Sequence, residues 1–270
     1  MNPLSINARP SRTAALVLSV LPFFLLLAVY GATAHVRHQE NPDDKLVPTF
    51  QEMADGFYRT AAEPDRKGDY RLWVDTVASM KRFAISTALL VFAVLLGLMM
   101  GLLPYVEKFL LRFITFIDKI PALALLPILF IVFGLGEVSK IALIVIGVFP
   151  TIILDTFLRA QAVPREQITK GLTLGASDME VAFHIVLPQI MPGVLDTIRL
   201  NFKAIILFLI AGESLAATAG LGYRIFVVRR YIAMDIIIPY VIWMSVLAFL
   251  ADLAVRGFIR WRYGWQKGAA

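Results

Sequence analysis

Long apolar runs separated by polar segments dominate the pattern of this chain. Six of them approach or exceed the roughly 20 residues that a helix needs to cross the hydrocarbon core of a bilayer. They cover residues 14–34, 83–103, 109–133, 141–158, 189–213 and 236–256. Pro104 ends the second run, and Pro121 and Pro127 are expected to bend the third, because proline removes a backbone donor and clashes with the preceding turn. The pattern predicts an all-α membrane protein with six transmembrane helices.

The two segments at the start of the chain each leave an alternative open. Residues 1–34 form an N-terminal tail and first transmembrane helix, although "ATA" at 32–34 imitates the cleavage site of a secretory leader. Residues 35–72 form a polar connector with turn signals at both ends. Within it, apolar residues at roughly helical spacing from Val47 to Phe57 predict a short helix at the membrane face. That helix serves as a packed connector or, alternatively, as a binding element.

Composition supports the membrane assignment and excludes several functions. Hydrophobic residues make up 59% and charged residues only 17%, against roughly 25% charged in soluble chains. The net charge of +6 comes mostly from Lys and Arg beside apolar runs, where they face lipid headgroups. We therefore expect lipid and no nucleic acid as a partner. With no cysteine, the chain has no disulfide, thiolate metal site or cysteine nucleophile.

Catalytic and cofactor motifs are also missing from the sequence. His35, His38 and His184 do not have the spacing of metal ligands, so no metal site is expected. There is no nucleophile–base set, glycine-rich phosphate loop or Walker lysine. The chain is therefore predicted to be no enzyme and to bind no cofactor itself.

The stretch "GLTLGASDMEVAFHIVLPQIMPG", residues 171–193, is too polar to be an ordinary turn between two spans. Gly175 permits a tight turn, and Ser177 with Glu180 matches a capping box that starts a helix. We expect "LPQIMPG" to break that helix before the next span. A compact helix standing off the bilayer is a docking surface for a cytoplasmic partner; a structured loop without a partner is the alternative.

The spacing from Gly175 to Ile185, Leu187 and Pro188 reads G-x9-I-x-L-P. It resembles the latter part of the EAA motif in permease subunits of binding-protein-dependent ABC importers. Residues 120–144 and 211–225 are similar to the nitrate, sulfonate and taurine branch of that family. The resemblance covers about residues 75–258 and leaves 35–72 without a counterpart. The Glu-Ala-Ala positions are here occupied by Thr169, Lys170 and Gly171, which puts any ion pair of the missing acid in doubt.

This resemblance implies a type I ABC importer permease fold with a core over 73–258, cytoplasmic coupling helices at about 165–188 and a cytoplasmic tail over 259–270. It implies a homodimer with an ABC ATPase dimer on one side and a periplasmic or extracellular solute-binding protein on the other. ATP and Mg would be used by the partner ATPase. The residues expected to couple to the ATPase are Gly171, Gly175, Ala176, Ser177, Asp178, Glu180, Ile185, Leu187 and Pro188.

Charge distribution favours both termini on the cytoplasmic side of the membrane, and the resemblance implies that this is a bacterial inner membrane. With six spans, twelve Lys or Arg lie on the side of the termini and ten on the opposite side. The side richer in Lys and Arg is usually cytoplasmic. The connector 35–72 is then periplasmic.

Five ionisable residues lie within or near the spans: Asp155, Asp196, Arg199, Lys203 and Glu213. All of these except Asp196 are candidates for the substrate pathway or gate. A charge at mid-membrane costs at least roughly 2.5–3.5 kcal/mol and needs a polar partner or water. Asp196, Arg199 and Lys203 are expected on one helix face, where Asp196 and Arg199 can simply pair. Lys203 either lines the pathway or pairs with Asp155 or Asp196. Glu213 and the glycines at 220–222 are placed toward the outer mouth.

The function that the resemblance implies is the permease subunit of an ATP-driven importer for a small solute, working by alternating access, and a lysine in the pathway would suit an anionic solute. Two alternatives from other classes are an ion-coupled secondary transporter and a structural or assembly membrane protein. The first would need coupling acids at the midplane and often repeat symmetry. The second would need no coupling helix.

Overall fold

The computed structural model describes residues 11–42, 44–66 and 68–266 and is nearly all helical. Most of the expected tail before the first span, and the end of the C-terminal tail, lie outside these residues. The helices are α1 (Arg12–Glu40), α2 (Phe50–Ala61), α3 (Arg71–Leu102), α4 (Pro104–Ile117), α5 (Leu126–Phe133), α6 (Glu137–Gln161), α7 (Arg165–Thr173), α8 (Asp178–Leu200), α9 (Phe202–Ala216), α10 (Leu221–Val228) and α11 (Met234–Arg262).

The number of membrane spans agrees with the pattern of apolar runs. In the described residues, α1, α3, α6, α8 and α11 are each long and apolar enough to cross a bilayer. Two further pairs qualify only together: α4 with the helical segment Ala122–Phe133, bent by 83°, and α9 with Leu221–Tyr231, bent by 55°. The range is therefore five to seven, and the predicted six lies within it.

The first bend lies where proline predicted it. The helix stops at Ile117, and Pro121 precedes the 3-10 turn Ala122–Leu125. The prediction that Pro127 also bends the span is wrong. Pro127 lies in the first turn of α5, where the backbone N–H that proline lacks would have no partner inside the helix.

Two predicted spans have different bounds in the structure. The span expected over 83–103 begins at Arg71, because the polar residues of its first turns are buried against other helices and do not end it. The span expected over 189–213 is two helices, α8 and α9, separated at Asn201. Asp196 and Arg199 therefore belong to one helix and Lys203 to the next.

Close contact between α3 and α6 forms the core. A Cβ at Gly97 would lie 2.5 Å from the Ile153 carbonyl oxygen, and a Cβ at Gly101 would lie 2.5 Å from the Ala160 Cβ. In lipid, helices associate through such close packing of small residues rather than through the hydrophobic effect. Side chains of α8 and α9 complete the cluster, which includes Leu98, Val194 and Ile205.

The connector carries the short helix expected from its apolar spacing, α2. Thr49 Oγ1 accepts from the Glu52 amide at 3.2 Å, and the Thr49 amide donates to Glu52 Oε2 at 2.7 Å. This capping box holds the pKa of Glu52 below its ordinary value. Helix α2 packs on α11, where Arg59 pairs with Asp235 at 2.5 Å.

Among the described residues, the hydrogen bonds and ion pairs between α1 and the rest of the chain lie near its C-terminal end. Tyr30 donates to the Pro48 carbonyl at 2.7 Å, and Arg37 pairs with Asp44. The apolar part of α1 is exposed all round. A helix that is apolar and exposed on every side requires a lipid or protein environment.

Candidate functional site

The segment predicted to couple to an ATPase is one compact element at the Gln161 end of α6. Gly175 has φ = +91°, a backbone conformation that favours glycine. Gly171 is buried, and a Cβ there would lie 2.6 Å from Ile185 Cδ1. The two glycines therefore fold α7 tightly back against the start of α8. The predicted coupling residues from Gly171 to Pro188 all lie on this element.

The predicted capping box at the start of α8 is confirmed. Ser177 Oγ accepts from the Glu180 amide at 3.3 Å, and the Ser177 amide donates to Glu180 Oε2 at 2.8 Å. Two backbone donors at the helix start are thereby satisfied within the chain. The turn and the first residues of α8 are thus held by hydrogen bonds within this chain.

The prediction that "LPQIMPG" breaks this helix is wrong. Helix α8 continues to Leu200 through Pro188 and Pro192, because residues Val181–Val186 form a π-helical turn. A π-turn shifts the hydrogen-bond register. The backbone N–H that Pro188 lacks would be needed in a regular helix but is not needed after this turn. The Gln189 side chain donates to the Ile185 carbonyl at 2.8 Å. The capped start of α8 and the span that follows are thus one continuous helix.

Sequence reasoning missed the apolar surface of this element. Leu174 is 80% exposed and Met179 55% exposed, and Leu172 and Phe183 lie beside them, also exposed. Large apolar residues in a segment that does not span the membrane could have signalled this surface. An exposed apolar patch with a polar rim is typical of a protein–protein contact.

At the opposite end of α6, Glu213 is fully buried and accepts hydrogen bonds from two other helices, α3 and α10. Arg82 Nη1 donates to its Oε1 at 2.6 Å, and the Ser79 hydroxyl donates at 2.7 Å. The Gly222 amide donates to its Oε2 at 2.8 Å. Glu213 therefore lies next to Gly220 and Gly222. The sequence predicts all three toward the same mouth of the protein.

A second buried carboxylate, Asp75, extends this cluster. It accepts from the Gly220 amide at 2.9 Å and from Arg224 Nε at 2.8 Å. On the other side of Arg82, Glu137 accepts two guanidinium hydrogen bonds and one from Lys140. Three acids and three bases thus balance, which removes most of the cost of placing charges away from water. We call these six residues the carboxylate cluster: Asp75, Arg82, Glu137, Lys140, Glu213 and Arg224.

Of the α3 residues in and beside this cluster, none was proposed from the sequence. Asp75, Ser79 and Arg82 precede the apolar run from which the span was predicted. Their spacing of four and then three residues places them on one helix face. This spacing could have identified them from the sequence. Only the fold shows that this face meets Glu213.

The other predicted pathway residues lie away from the carboxylate cluster. Arg159 donates to Asp155 at 2.7 Å and to the Thr197 hydroxyl at 3.1 Å. Arg199 pairs with Asp196 at 2.7 Å, as expected, and with Asp252 at 2.9 Å. Lys203 is exposed, and within the part of the chain that the structure describes it makes no ion pair within 4.0 Å. Both acids considered as its partners are occupied by arginine.

Comparison with known proteins identifies the family. Residues 93–262 match the family described as binding-protein-dependent transport system inner membrane component. The chain is 31% identical over 208 residues to the taurine transport system permease protein TauC of Escherichia coli, covering 77% of this chain and 76% of that protein. It is 27% identical over 159 residues to the putative aliphatic sulfonates transport permease protein SsuC of Escherichia coli, covering 57% and 60%. The formylaminopyrimidine transport permease protein ThiX of Halalkalibacterium halodurans is 28% identical over 144 residues, covering 52% and 58%.

The contact of Gly220 with Glu213 yields a stability prediction. A Cβ at Gly220 would lie 2.5 Å from Glu213 Cδ, at φ = +143°. We expect Gly220→Ala to lower the free energy of unfolding, because the new methyl group displaces the carboxylate from its donors. Gly134→Ala is the matched control, since Gly134 also has a positive φ (+73°) but nothing within 4 Å of its Cβ position.

Thermal unfolding of the detergent-solubilised protein measures the difference. Both variants place alanine at a positive φ, so a larger loss in Gly220→Ala reports mainly the displaced carboxylate and should be about 1–3 kcal/mol. Equal stability of the two variants would contradict the role given to this contact.

Proposed function

The chain belongs to the family of binding-protein-dependent transport system inner membrane components, and we propose that it imports a small sulfonate-type anion by coupling its spans to an ATPase through residues 165–188. It is the membrane-spanning, non-catalytic permease subunit of an ABC importer, and ATP hydrolysis lies with partner ATPases. Its resemblance to the taurine and sulfonate branch of these permeases holds.

The observation that carries the coupling proposal is the shape of the α7–α8 element. It is held in place by its own turn and capping box, and it presents exposed Leu174, Met179 and Phe183. It leads without interruption into a membrane span. A movement of this element by an ATPase dimer would therefore move α8 as a rod and bias the permease between two states.

The proposed assembly is a homodimer of this chain, with two ATPase subunits at the Gln161 end of α6 and a solute-binding protein at the Glu137 end. The ATPase would use ATP and Mg. We place the Gln161 end and both termini in the cytoplasm, and the connector 35–72 outside. The exposed apolar faces of α1 and α5 suit lipid and the second copy of the chain.

A small anion is proposed because the names of the related permeases specify taurine and aliphatic sulfonates. Lys203 supports this choice: it is exposed, lies within a span and makes no ion pair with the described acids. A lysine without a counter-charge must face water or a bound anion rather than lipid.

The orientation is tested by thiol labelling, which is clean because the chain has no native cysteine. A cysteine introduced by Gln51→Cys on exposed α2 should react with an impermeant reagent added to intact cells. A cysteine introduced by Glu166→Cys on exposed α7 should react only after the membrane is opened. The reverse pattern would contradict the proposed orientation.

The coupling proposal is tested by Gly175→Val. Nothing lies within 4 Å of the Cβ position at Gly175, so the change acts only through the backbone, which a β-branched residue does not hold at φ = +91°. Strain of about 1–3 kcal/mol should reshape the turn and reduce co-purification of the ATPase by about tenfold or more. ATP-driven uptake should fall with it, while membrane insertion persists.

Gly134→Val provides the matched control, because Gly134 has a positive φ and open surroundings at the other end of α6. It should bind the ATPase normally. Loss of ATPase in both variants, or in neither, would contradict the assignment of 171–188 as the contact.

The pathway role of Lys203 is tested by Lys203→Met. Because Asp155 and Asp196 already pair with arginine, the variant should stay as stable as the wild type. Uptake by the reconstituted complex should fall by about tenfold or more, as expected when a hydrogen bond to a charged group is lost. Lys203→Arg should retain part of the activity, and Lys81→Met, at another exposed lysine of a span, serves as control. Destabilisation that removal of Asp155 or Asp196 rescues would instead assign Lys203 to a structural pair.

A further inference from the structure

The break between α4 and α5 lies at mid-length of the neighbouring helix α6. Asp118 follows the last residue of α4, and its Oδ1 accepts from the Thr151 hydroxyl at 2.9 Å. Helix α6 runs from residue 137 to residue 161, about 37 Å at 1.5 Å per residue. Thr151 is close to its middle, so this break is far from both ends of the span.

Helix α9 brings Lys203 to the same part of α6. Gly212 lies against Lys140, with 3.5 Å between its Cβ position and the Lys140 Cα, and the Phe208 ring lies against Gly147. The two helices therefore run antiparallel. Lys203 is five residues before Phe208, about 7.5 Å further along, which places it near the level of Thr151 and Asp155.

The break and α9 also share one face of α6. Lys140, Leu143, Gly147 and Thr151 follow one another at intervals of three or four residues, which is a single helical stripe. Leu143 belongs to the apolar cluster of the helical segment after the break, and Phe208 of α9 packs on that cluster. Further along the stripe, Leu158 is 62% exposed, so this face of α6 is not covered by other helices near the Gln161 end.

Lys119 lies in the break, next to Asp118. Its side chain is 74% exposed, and it pairs with the neighbouring Asp118 at 3.0 Å. The carboxylate of Asp118 is held in turn by Thr151. An ammonium this exposed at mid-span cannot face lipid at acceptable cost and must meet water or an anion.

We propose that Lys119 and Lys203 together form the anion contact of the transport pathway, at the level of the break in the α4–α5 span. Substrate sites of transporters commonly lie near the midplane, where a span is discontinuous. The inference rests on the proposed import of a sulfonate-type anion and adds a second residue and a location. Asp118 competes with the anion for Lys119, which keeps the contact weak enough for the solute to leave.

The first test measures ATP-driven uptake of taurine and of ethanesulfonate by proteoliposomes that contain the permease with its ATPase and binding protein. Lys119→Gln should lower uptake at low solute concentration by about tenfold or more, and Lys119→Arg should retain part of it. Lys108→Gln, at an exposed lysine of α4 away from the break, should behave like the wild type. ATP hydrolysis and complex assembly should persist in all three variants. Uptake by Lys119→Gln equal to that of the control would overturn the proposal.

The second test does not depend on the solute. A cysteine introduced by Lys119→Cys should react with an anionic methanethiosulfonate reagent, and Lys203→Met in the same protein should slow that reaction several-fold. A cationic reagent should not be slowed, because the effect is electrostatic attraction by Lys203. An unreactive cysteine, or equal rates with and without Lys203, would overturn the shared contact. If the wild type imports neither sulfonate but Lys203 still accelerates labelling, the anion contact stands and the proposed substrate class fails.

Discussion

Glu213 is a fully buried carboxylate, and the chain around it supplies the donors that make its burial possible. Arg82 and Ser79 reach it from α3, and the Gly222 amide reaches it from the first turn of α10. An uncompensated charge in this position would destabilise the protein strongly, whereas a paired and hydrogen-bonded one is tolerated. Position 220 must therefore be glycine, because the Glu213 carboxylate lies against it. Helix α3 must also begin early enough to place Arg82 beside Glu213.

The carboxylate cluster and the coupling element lie at opposite ends of α6. Between them, the α3–α6 contact at Gly97 and Gly101 joins two helices at a separation that side chains would prevent. This pair forms a firm central unit, on which both bent spans pack. The bends at 118–121 and 217–220 are the points where the remaining helices can change direction. This arrangement favours alternating access in which the bent spans and α8 move relative to α6, while α6 itself does not deform.

The contrast between paired and unpaired charges separates structural from functional candidates. Arg159 pairs with Asp155 on α6. Arg199 of α8 pairs with Asp196 of the same helix and with Asp252 of α11. Lys203 does not pair with them, and Lys119 pairs only with its neighbour in the break while remaining largely exposed. Both lysines are thus left to interact with water or solute. The sequence indicated the local pair of Asp196 and Arg199, but it did not show that Arg199 also pairs with Asp252, because that partner lies on another helix.

The sequence by itself determined the helical class, the number of spans to within one, the bend near Pro121 and the capped turn at Gly175–Glu180. These features depend on interactions between residues close in the chain: apolar run length, proline sterics, a glycine turn and a side chain that bonds the next turn. Tertiary structure decided what depends on distant residues. It extended α3 back to Arg71 because partners bury its polar turns, carried α8 through Pro188 by a π-turn, and divided the fifth span at Asn201. It also brought Arg82 to Glu213 and set Lys119 near the level of Lys203, since only the packing of helices relates residues this far apart in the chain.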